Sequence, residues 1–265
     1  MGAAAVGGGG GGERRAAEAP PAPLAGWLAG RPGGPLRVVV LSGAGLSAGS
    51  GLATFRGADG HWQRYRPEEL ATPQAFARRP EVVWEWYAAR FRAAAAAEPN
   101  AGHREIARWE GRFTSLTVVT QNVDGLHQRA GTPDPLELHG SLVRARCAAC
   151  GERLPMADAV ARPGAPPRCA CGGRLRPDVV WFGEALPIDA LSRADHAARK
   201  ADLFVVAGTS AQVFPAAGLI EVAARAGALV VEVNPEATPF SSLAGLRLAG
   251  PAEVELPRLG RWIAP

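Results

Sequence analysis

Five short apolar runs recur along the chain, at 37–41, 116–120, 178–182, 203–207 and 229–233. Most are unbroken in Val and Leu rather than alternating with polar residues, as expected of strands buried on both faces of a parallel sheet. Between the last three lie alanine-rich stretches, 188–200 and 216–226, whose composition favours helix. Strand–helix–strand alternation predicts an α/β fold with an open, doubly wound parallel sheet. Two long segments interrupt the pattern. Residues 57–112 are rich in Trp and Ala and read as helical, whereas residues 141–177 carry every cysteine and several prolines. The two together predict a second, smaller domain made of a helical insertion and a four-cysteine module. The expected division is a disordered tail at 1–25 and a catalytic unit at 26–265. Within that unit, 26–56, 113–140 and 178–265 form the large domain, and 57–112 and 141–177 the small one.

Composition narrows the class. Hydrophobic residues make up 47% and charged residues 20%, the values of an ordinary globular protein. The net charge is +4, and Lys200 is the only lysine, so arginine carries nearly all the positive charge. No Lys/Arg run or aromatic–basic stripe accompanies it, and nucleic acid is not expected as a partner. No apolar stretch approaches the roughly 20 residues that span a bilayer. The first 25 residues are rich in Gly, Ala and Pro, with a glycine run at 7–12. They lack the cationic start and apolar block of a secretory signal. Val6 stands where a myristoylation motif needs Ser or Thr. A cytoplasmic monomer is the expectation.

Candidate chemistry begins after the first run, at Gly43-Ala44-Gly45-Leu46-Ser47-Ala48. This fits the G-x-G-x-x-G/A fingerprint of Rossmann-like sheets, in which glycines let backbone approach a pyrophosphate at a helix N-terminus. A glycine turn without a ligand would read the same, but its place behind a buried strand favours a dinucleotide. A hydride-transfer enzyme would continue into a helix, a second strand and an acidic ribose ligand about 20 residues on. Here the stretch from Ser50 to Gly57 is too glycine-rich for that helix, and the next convincing strand begins only at Leu116. A rebuilt loop with a different role is expected. Thr120 to Asp124 again follows a strand, and Gln121, Asn122 and Asp124 offer partners for a ribose or carboxamide, although Asn and Asp also form ordinary turns. His139, in Leu138-His139-Gly140, lies outside any helical periodicity. A lone histidine is more often a core or surface residue than a base, yet its ordinary pKa suits proton transfer. Cys147-x-x-Cys150 and Cys169-x-Cys171 supply four thiolates in two knuckles, the set a closed tetrahedral zinc site takes. With no open position such a metal is structural. A redox disulfide is the alternative reading.

Taken in order, these motifs resemble the sirtuin family. Gly43-Ala44-Gly45-x-Ser47 through Gly51-x-x-x-Phe55-Arg56 is similar to its first NAD motif, and Thr120 to His127 to its second. His139-Gly140, Gly208-Thr209-Ser210 and Val233-Asn234 follow in family order, over positions 43–252. The resemblance implies a protein-lysine deacylase that consumes NAD as co-substrate and holds one structural zinc ion. In that picture Phe55 covers the leaving nicotinamide and Arg56 orders the loop. Gln121 contacts ribose, Asn122 and Asp124 hold ribose and carboxamide, and Ala252 offers a backbone group to adenine. The acyl oxygen attacks the anomeric carbon of the nicotinamide ribose, and nicotinamide leaves. His139 then deprotonates a ribose hydroxyl that attacks the resulting imidate, giving free lysine and O-acyl-ADP-ribose. His127 reads as structural, and His61, His103 and His196 show no chemical context.

Within the family the resemblance is to class III. Tyr87 and Arg90 stand three residues apart in a helical stretch and share a face. A phenol beside a guanidinium makes a carboxylate receptor, although Tyr-x-x-Arg on a helix is usually a solvated edge. Class III enzymes place this pair to bind the distal carboxylate of succinyl-, malonyl- or glutaryl-lysine, and a small residue like Ala71 widens their pocket. The segment Val180 to Gly183, including Phe182, is similar to the family's substrate-pairing strand, which takes an acylated protein as an added strand. Alternative readings are a plain deacetylase, a mono-ADP-ribosyl transferase, and a non-catalytic NAD sensor or zinc-dependent binding module.

Overall fold

The computed structural model describes residues 18–31, 33–55 and 66–264. Its strands are β1 (Arg37–Ser42), β2 (Ser115–Thr120), β3 (Leu136–Glu137), β4 (Gly140–Cys147), β5 (Arg153–Pro155), β6 (Leu175–Val179), β7 (Leu203–Ala207), β8 (Leu229–Val233) and β9 (Leu246–Leu248). The helices in chain order are α1 (Ala22–Gly30), α2 (Ala44–Ala48), α3 (Pro67–Leu70), α4 (Pro73–Arg78), α5 (Pro80–Ala96), α6 (Ala101–Arg108), α7 (Leu126–Ala130), α8 (Met156–Val160), α9 (Ile188–Lys200), α10 (Gly218–Arg225) and α11 (Ala252–Ile263). Six strands form one parallel sheet in the order β3-β2-β1-β7-β8-β9, and β5-β4-β6 form a small antiparallel sheet.

The unbroken apolar runs follow from burial on both faces. Along β1, Val38 and Val40 enter one core while Val39 and Leu41 enter the other. The first core is closed by Leu24 of α1, Ile106 of α6 and Leu256, Leu259 and Trp262 of α11. Ala194 and Ala198 of α9, with Leu219, Ile220 and Ala223 of α10, close the second. Each fully buried Val, Leu or Ile contributes roughly 1.5–3 kcal/mol, so neither face tolerates the polar alternation of a half-exposed strand. β2 and β7 leave β1 on opposite sides, which makes β1 the switch point of the sheet. A crevice opens at such a point, beyond the carboxyl ends of the strands.

In the small domain α5 presents two neighbouring stripes. Val83 and Tyr87 pack with Leu70, Ala71, Phe76, Leu142, Val179 and Trp181, whereas Trp84 and Ala88 pack with Ala145, Cys147, Met156 and Leu175. The helical insertion and the cysteine module thus share a core through one helix.

Three expectations need correction. The run at 178–182 is not a strand of the large sheet: β6 ends at Val179 and pairs antiparallel with β4. The chain then turns, with the Glu184 N–H bonded to the Trp181 carbonyl at 3.0 Å and Gly183 at φ +88°. The tail does not reach residue 25, because α1 starts at Ala22 and buries Leu24 completely. Its first 17 residues lie outside the described ones. Finally, Ile106 and Trp109, assigned to the small domain, pack in the first core of the large sheet. Among the described residues no helix is long and apolar enough to cross a membrane.

Candidate active site

Two glycine turns meet at the switch point. The Gly43 N–H donates to the Ala207 carbonyl at 3.0 Å and the Gly45 N–H to the Gly208 carbonyl at 2.7 Å, so the β1 and β7 loops run in contact. A Cβ on Gly45 would stand 2.8 Å from the Gly208 oxygen, and Gly208 itself has φ +61°. These positions therefore exclude side chains, and backbone is left facing the crevice. α2 stops at Ala48, as the glycines after it require. The crevice is a cavity of about 800 Å³ between the strand ends and the small domain. Gly43, Ala44, Gly45, Phe55, Gln121, Asn122, Gly208, Thr209, Ser210, Asn234 and Ala252 line one part of it. Ala71, Tyr87, Arg90, Val180, Phe182 and Gly183 line the other, and His139 is on the wall as well. The structure therefore brings together both predicted halves of the site. Arg56 lies outside the described residues.

Side-chain amides shape the end of the cavity at the glycine turns. Asn122 donates from Nδ2 to the Gly43 carbonyl at 3.0 Å and to Ser47 Oγ at 3.2 Å, which leaves Oδ1 for a ligand. Gln121 donates from Nε2 to Thr209 Oγ1 at 3.0 Å, tying the β2 loop to the β7 loop. His139 Nδ1 lies 3.1 Å from the Gln121 carbonyl. A carbonyl only accepts, so Nδ1 carries the proton and Nε2 keeps a lone pair. Burial lowers the pKa of His139 against the opposing pull of that carbonyl, and the ring is held neutral. Gly140 follows at φ +72°, where a Cβ would collide with the Asp178 carbonyl, so the chain is fixed directly beside the imidazole.

Ser47 and Asp124 are placed differently from expectation. Neither is on the cavity wall. Ser47 Oγ donates to Asp124 Oδ2 at 2.7 Å, and Asp124 Oδ1 accepts the Leu126 N–H at 2.9 Å. Ser47 must then accept from His103 Nε2, 3.4 Å away, and His103 Nδ1 accepts the Asn100 N–H at 3.4 Å. A second chain runs from His127 Nε2 to Ser42 Oγ at 2.8 Å and on to Thr120 Oγ1 at 2.9 Å. The two imidazoles meet edge to face at 5.3 Å. His103 is therefore part of the platform under the loop, contrary to its reading as a residue without context. The signal was Asn100 three residues before it, an N-cap whose side chain also holds the Leu46 carbonyl at 2.7 Å.

Both histidines are fully enclosed. Burial pushes His103 down to about 4, against the attraction of Asp124, and His127 down to about 3, where His103 adds to the effect. His127 Nδ1 has no hydrogen-bond partner, so protonating it would bury an uncompensated charge. A histidine depressed in the folded state binds protons more readily unfolded, so its contribution to stability holds above about pH 6.5 and is lost as pH falls toward the folded value. Acidification from pH 7 to pH 5 is expected to cost about 2 kcal/mol per histidine. His127→Gln, which keeps a donor for Ser42, should recover about half of that loss in denaturant melts at the two pH values. An equal loss in both proteins would refute the assignment.

At the end of the cavity that Tyr87 and Arg90 line, Trp181 donates from Nε1 to the Tyr87 hydroxyl at 3.0 Å. Tyr87 is 3% exposed, and burial pushes its pKa up to about 12, so it remains a neutral phenol. The Arg90 guanidinium lies over the rings of Phe55 and Trp86, each at 4.7 Å. Burial lowers its pKa, opposed by Tyr87 and Asp124, but a guanidinium stays charged. Among the described residues it makes no ion pair with a carboxylate. Ala71 accepts the Phe182 N–H at 2.9 Å and fixes the adjoining turn.

Away from the cavity, the four cysteine sulfurs lie within 4.8 Å of one another. Cys147 and Cys171 are 3.5 Å apart, and Cys150 and Cys169 3.8 Å. Tetrahedral zinc with bonds near 2.3 Å sets its sulfurs about 3.8 Å apart, so the donor set fits that ion and not a disulfide. Backbone N–H groups of Ala149 and Gly173 point at two of the sulfurs, each at 3.4 Å. Cys147, Cys150, Cys169 and Cys171 are the residues that would hold the structural zinc ion.

Comparison with known proteins agrees with this geometry. An NAD-dependent protein deacylase of Aquifex aeolicus (strain VF5) is 50% identical over 226 residues, covering 84% of this chain and 94% of its own. A solved Sir2 homologue in complex with NAD superposes with a TM-score of 0.78 at 48% identity, over 84% of this chain and 88% of that one. A Sir2–p53 peptide–NAD+ complex gives 0.78 at 33% identity, over 84% and 91%. The Sir2 family model matches residues 43–215, from the first glycine loop into the loop after β7. The chain belongs to the Sir2 family.

Proposed function

We propose that this chain, an NAD-dependent protein deacylase, removes acidic acyl groups such as succinyl, malonyl or glutaryl from lysine side chains. The observation that carries the reading is the chemistry of the acyl end. Arg90 and the Tyr87 hydroxyl both offer hydrogens, no carboxylate of the described residues forms an ion pair with Arg90, and Glu184, the carboxylate on the same wall, is engaged by Arg176. A carboxylate-bearing acyl group supplies the missing acceptor, whereas an acetyl group leaves a half-buried cation unpaired.

At the other end Asn122 Oδ1 and Gln121 face the ribose and carboxamide of NAD, and the glycine turns take its pyrophosphate. His139 Nε2 accepts a proton from a ribose hydroxyl during acyl transfer. Asp124 acts from behind by fixing Ser47, which in turn holds Asn122. The protein substrate lies along 180–183, a mode supported by the peptide complex of the Sir2 relative. There the N–H groups of Val180 and Phe182 are already bonded to His139 and Ala71. The Val180 carbonyl and the Gly183 N–H remain for a peptide.

With matched peptides, succinyl-lysine should be turned over far faster than acetyl-lysine. Arg90→Met should lower the succinyl-to-acetyl ratio of kcat/KM by about 10- to 100-fold, the worth of a charge-assisted hydrogen bond in a partly buried site. An unchanged ratio would sink the acidic-acyl reading and leave a plain deacetylase.

A further inference from the structure

We infer that Trp181 is the positioning residue that sets the direction of the Tyr87 hydroxyl and thereby tunes acyl selectivity. The inference rests on the proposed acyl pocket. An indole N–H can only donate, so the Tyr87 oxygen must accept along the 3.0 Å bond from Trp181 Nε1. With one lone pair engaged there, the phenolic proton is turned away from Trp181. Tyr87 lines the cavity beside Arg90, and that proton becomes a donor for whatever the pocket holds. Without the indole N–H, the hydroxyl could rotate and present a lone pair, which would repel a carboxylate.

Trp181 is itself clamped. Its ring carries the Arg176 guanidinium at 3.3 Å from the centroid and meets Phe76 at 5.3 Å. Glu184 accepts the Trp181 N–H at 2.9 Å and two bonds from Arg176, at 2.6 and 2.9 Å. Arg176 also donates to the Val179 carbonyl at 2.9 Å and is 6% exposed. The indole is thus held on its face and at its backbone, which is more than filling a core requires. Arg176 is off the cavity wall and holds Glu184, which lines it, through two hydrogen bonds; the effect of the pair on Tyr87 passes through Trp181.

The test is a double-mutant cycle on the folded holoenzyme. Trp181→Phe keeps a ring and removes the N–H. It should lower the succinyl-to-acetyl ratio of kcat/KM about 10-fold, mainly through the succinyl KM, as expected for one hydrogen bond to a buried group. In a Tyr87→Phe background the same change should move the ratio by less than about 2-fold, because the coupled pair is already broken. An unmoved ratio in the single variant makes Trp181 core filling, and a full effect without Tyr87 means that it acts by another route; either overturns the inference. If Tyr87→Phe and Arg90→Met both leave the ratio unchanged, the pocket reading itself has failed. Should Trp181→Phe not fold, the indole N–H resonances of Tyr87→Phe decide. One should shift, the same one that succinyl peptide shifts in the parent; no shift refutes the bond.

Discussion

Replacing His139 by alanine is expected to lower deacylation about 10²- to 10⁴-fold, the usual worth of a positioned general base, while NAD still binds. Three features single out this imidazole. Its tautomer is set by the Gln121 carbonyl, which leaves Nε2 unprotonated, and burial depresses its pKa so that the base form dominates at neutral pH. The backbone on its far side is pinned, because the Val180 N–H donates to the His139 carbonyl at 2.9 Å and Gly140 lies against Asp178. The loops at the β1, β2 and β7 ends, by contrast, are tied to one another by the Gly43–Ala207, Gly45–Gly208 and Gln121–Thr209 bonds, so losing the single imidazole bond to Gln121 leaves them connected. Calorimetric NAD affinity should therefore stay within a few-fold of the parent. In the parent, kcat/KM should fall on the acid side through a pKa below the ordinary histidine value of about 6.5, because protonation removes the base. Retained turnover, or NAD affinity lost in step with turnover, would remove His139 from this role.

What the sequence made legible here, and what it hid, divides along one physical line. Glycines forced by close backbone approach are visible, since no other residue fits between Gly45 and Gly208. Helical spacing puts Tyr87 and Arg90 on one face, but it is the resemblance to class III that marks that face as more than a solvated edge. Contacts that close over long sequence separations leave no such mark. His103 meets Ser47 across 56 residues, and Trp181 meets Tyr87 across 94. The misplaced run at 178–182 fails for another reason. Asp178-Val179-Val180-Trp181-Phe182 is apolar enough for a buried strand in either sheet, and only the pairing of Gly140 with Val179 decides which. Residues 22–25 misled through composition: among alanines and prolines, Leu24 alone carries the burial.

Removing the metal should abolish activity although zinc stands outside the chemistry. The cysteine module has too small a core to fold unaided: Ala145, Cys147, Met156, Ala159 and Leu175 are its buried apolar residues, and Trp84 and Ala88 of α5 complete the cluster. Pieces of this size usually need a staple, and zinc bound to four thiolates supplies on the order of 10–16 kcal/mol in small zinc-dependent folds. β4 carries the consequence to the site, since it starts at Gly140 beside His139 and ends at the ligand Cys147. β6, its partner, leads from Leu175 toward Trp181 and the proposed acyl pocket. Melting this sheet would release His139 on one side and Tyr87 on the other. The large sheet has its own two cores and should survive. Chelation, or Cys150→Ser, is thus expected to cut turnover about 100-fold or more while most far-ultraviolet ellipticity persists. Metal analysis should give one zinc per chain in the parent, and adding zinc back after chelation should restore turnover. Full activity in zinc-free protein would show that β4 and β6 hold their pairing without the ion.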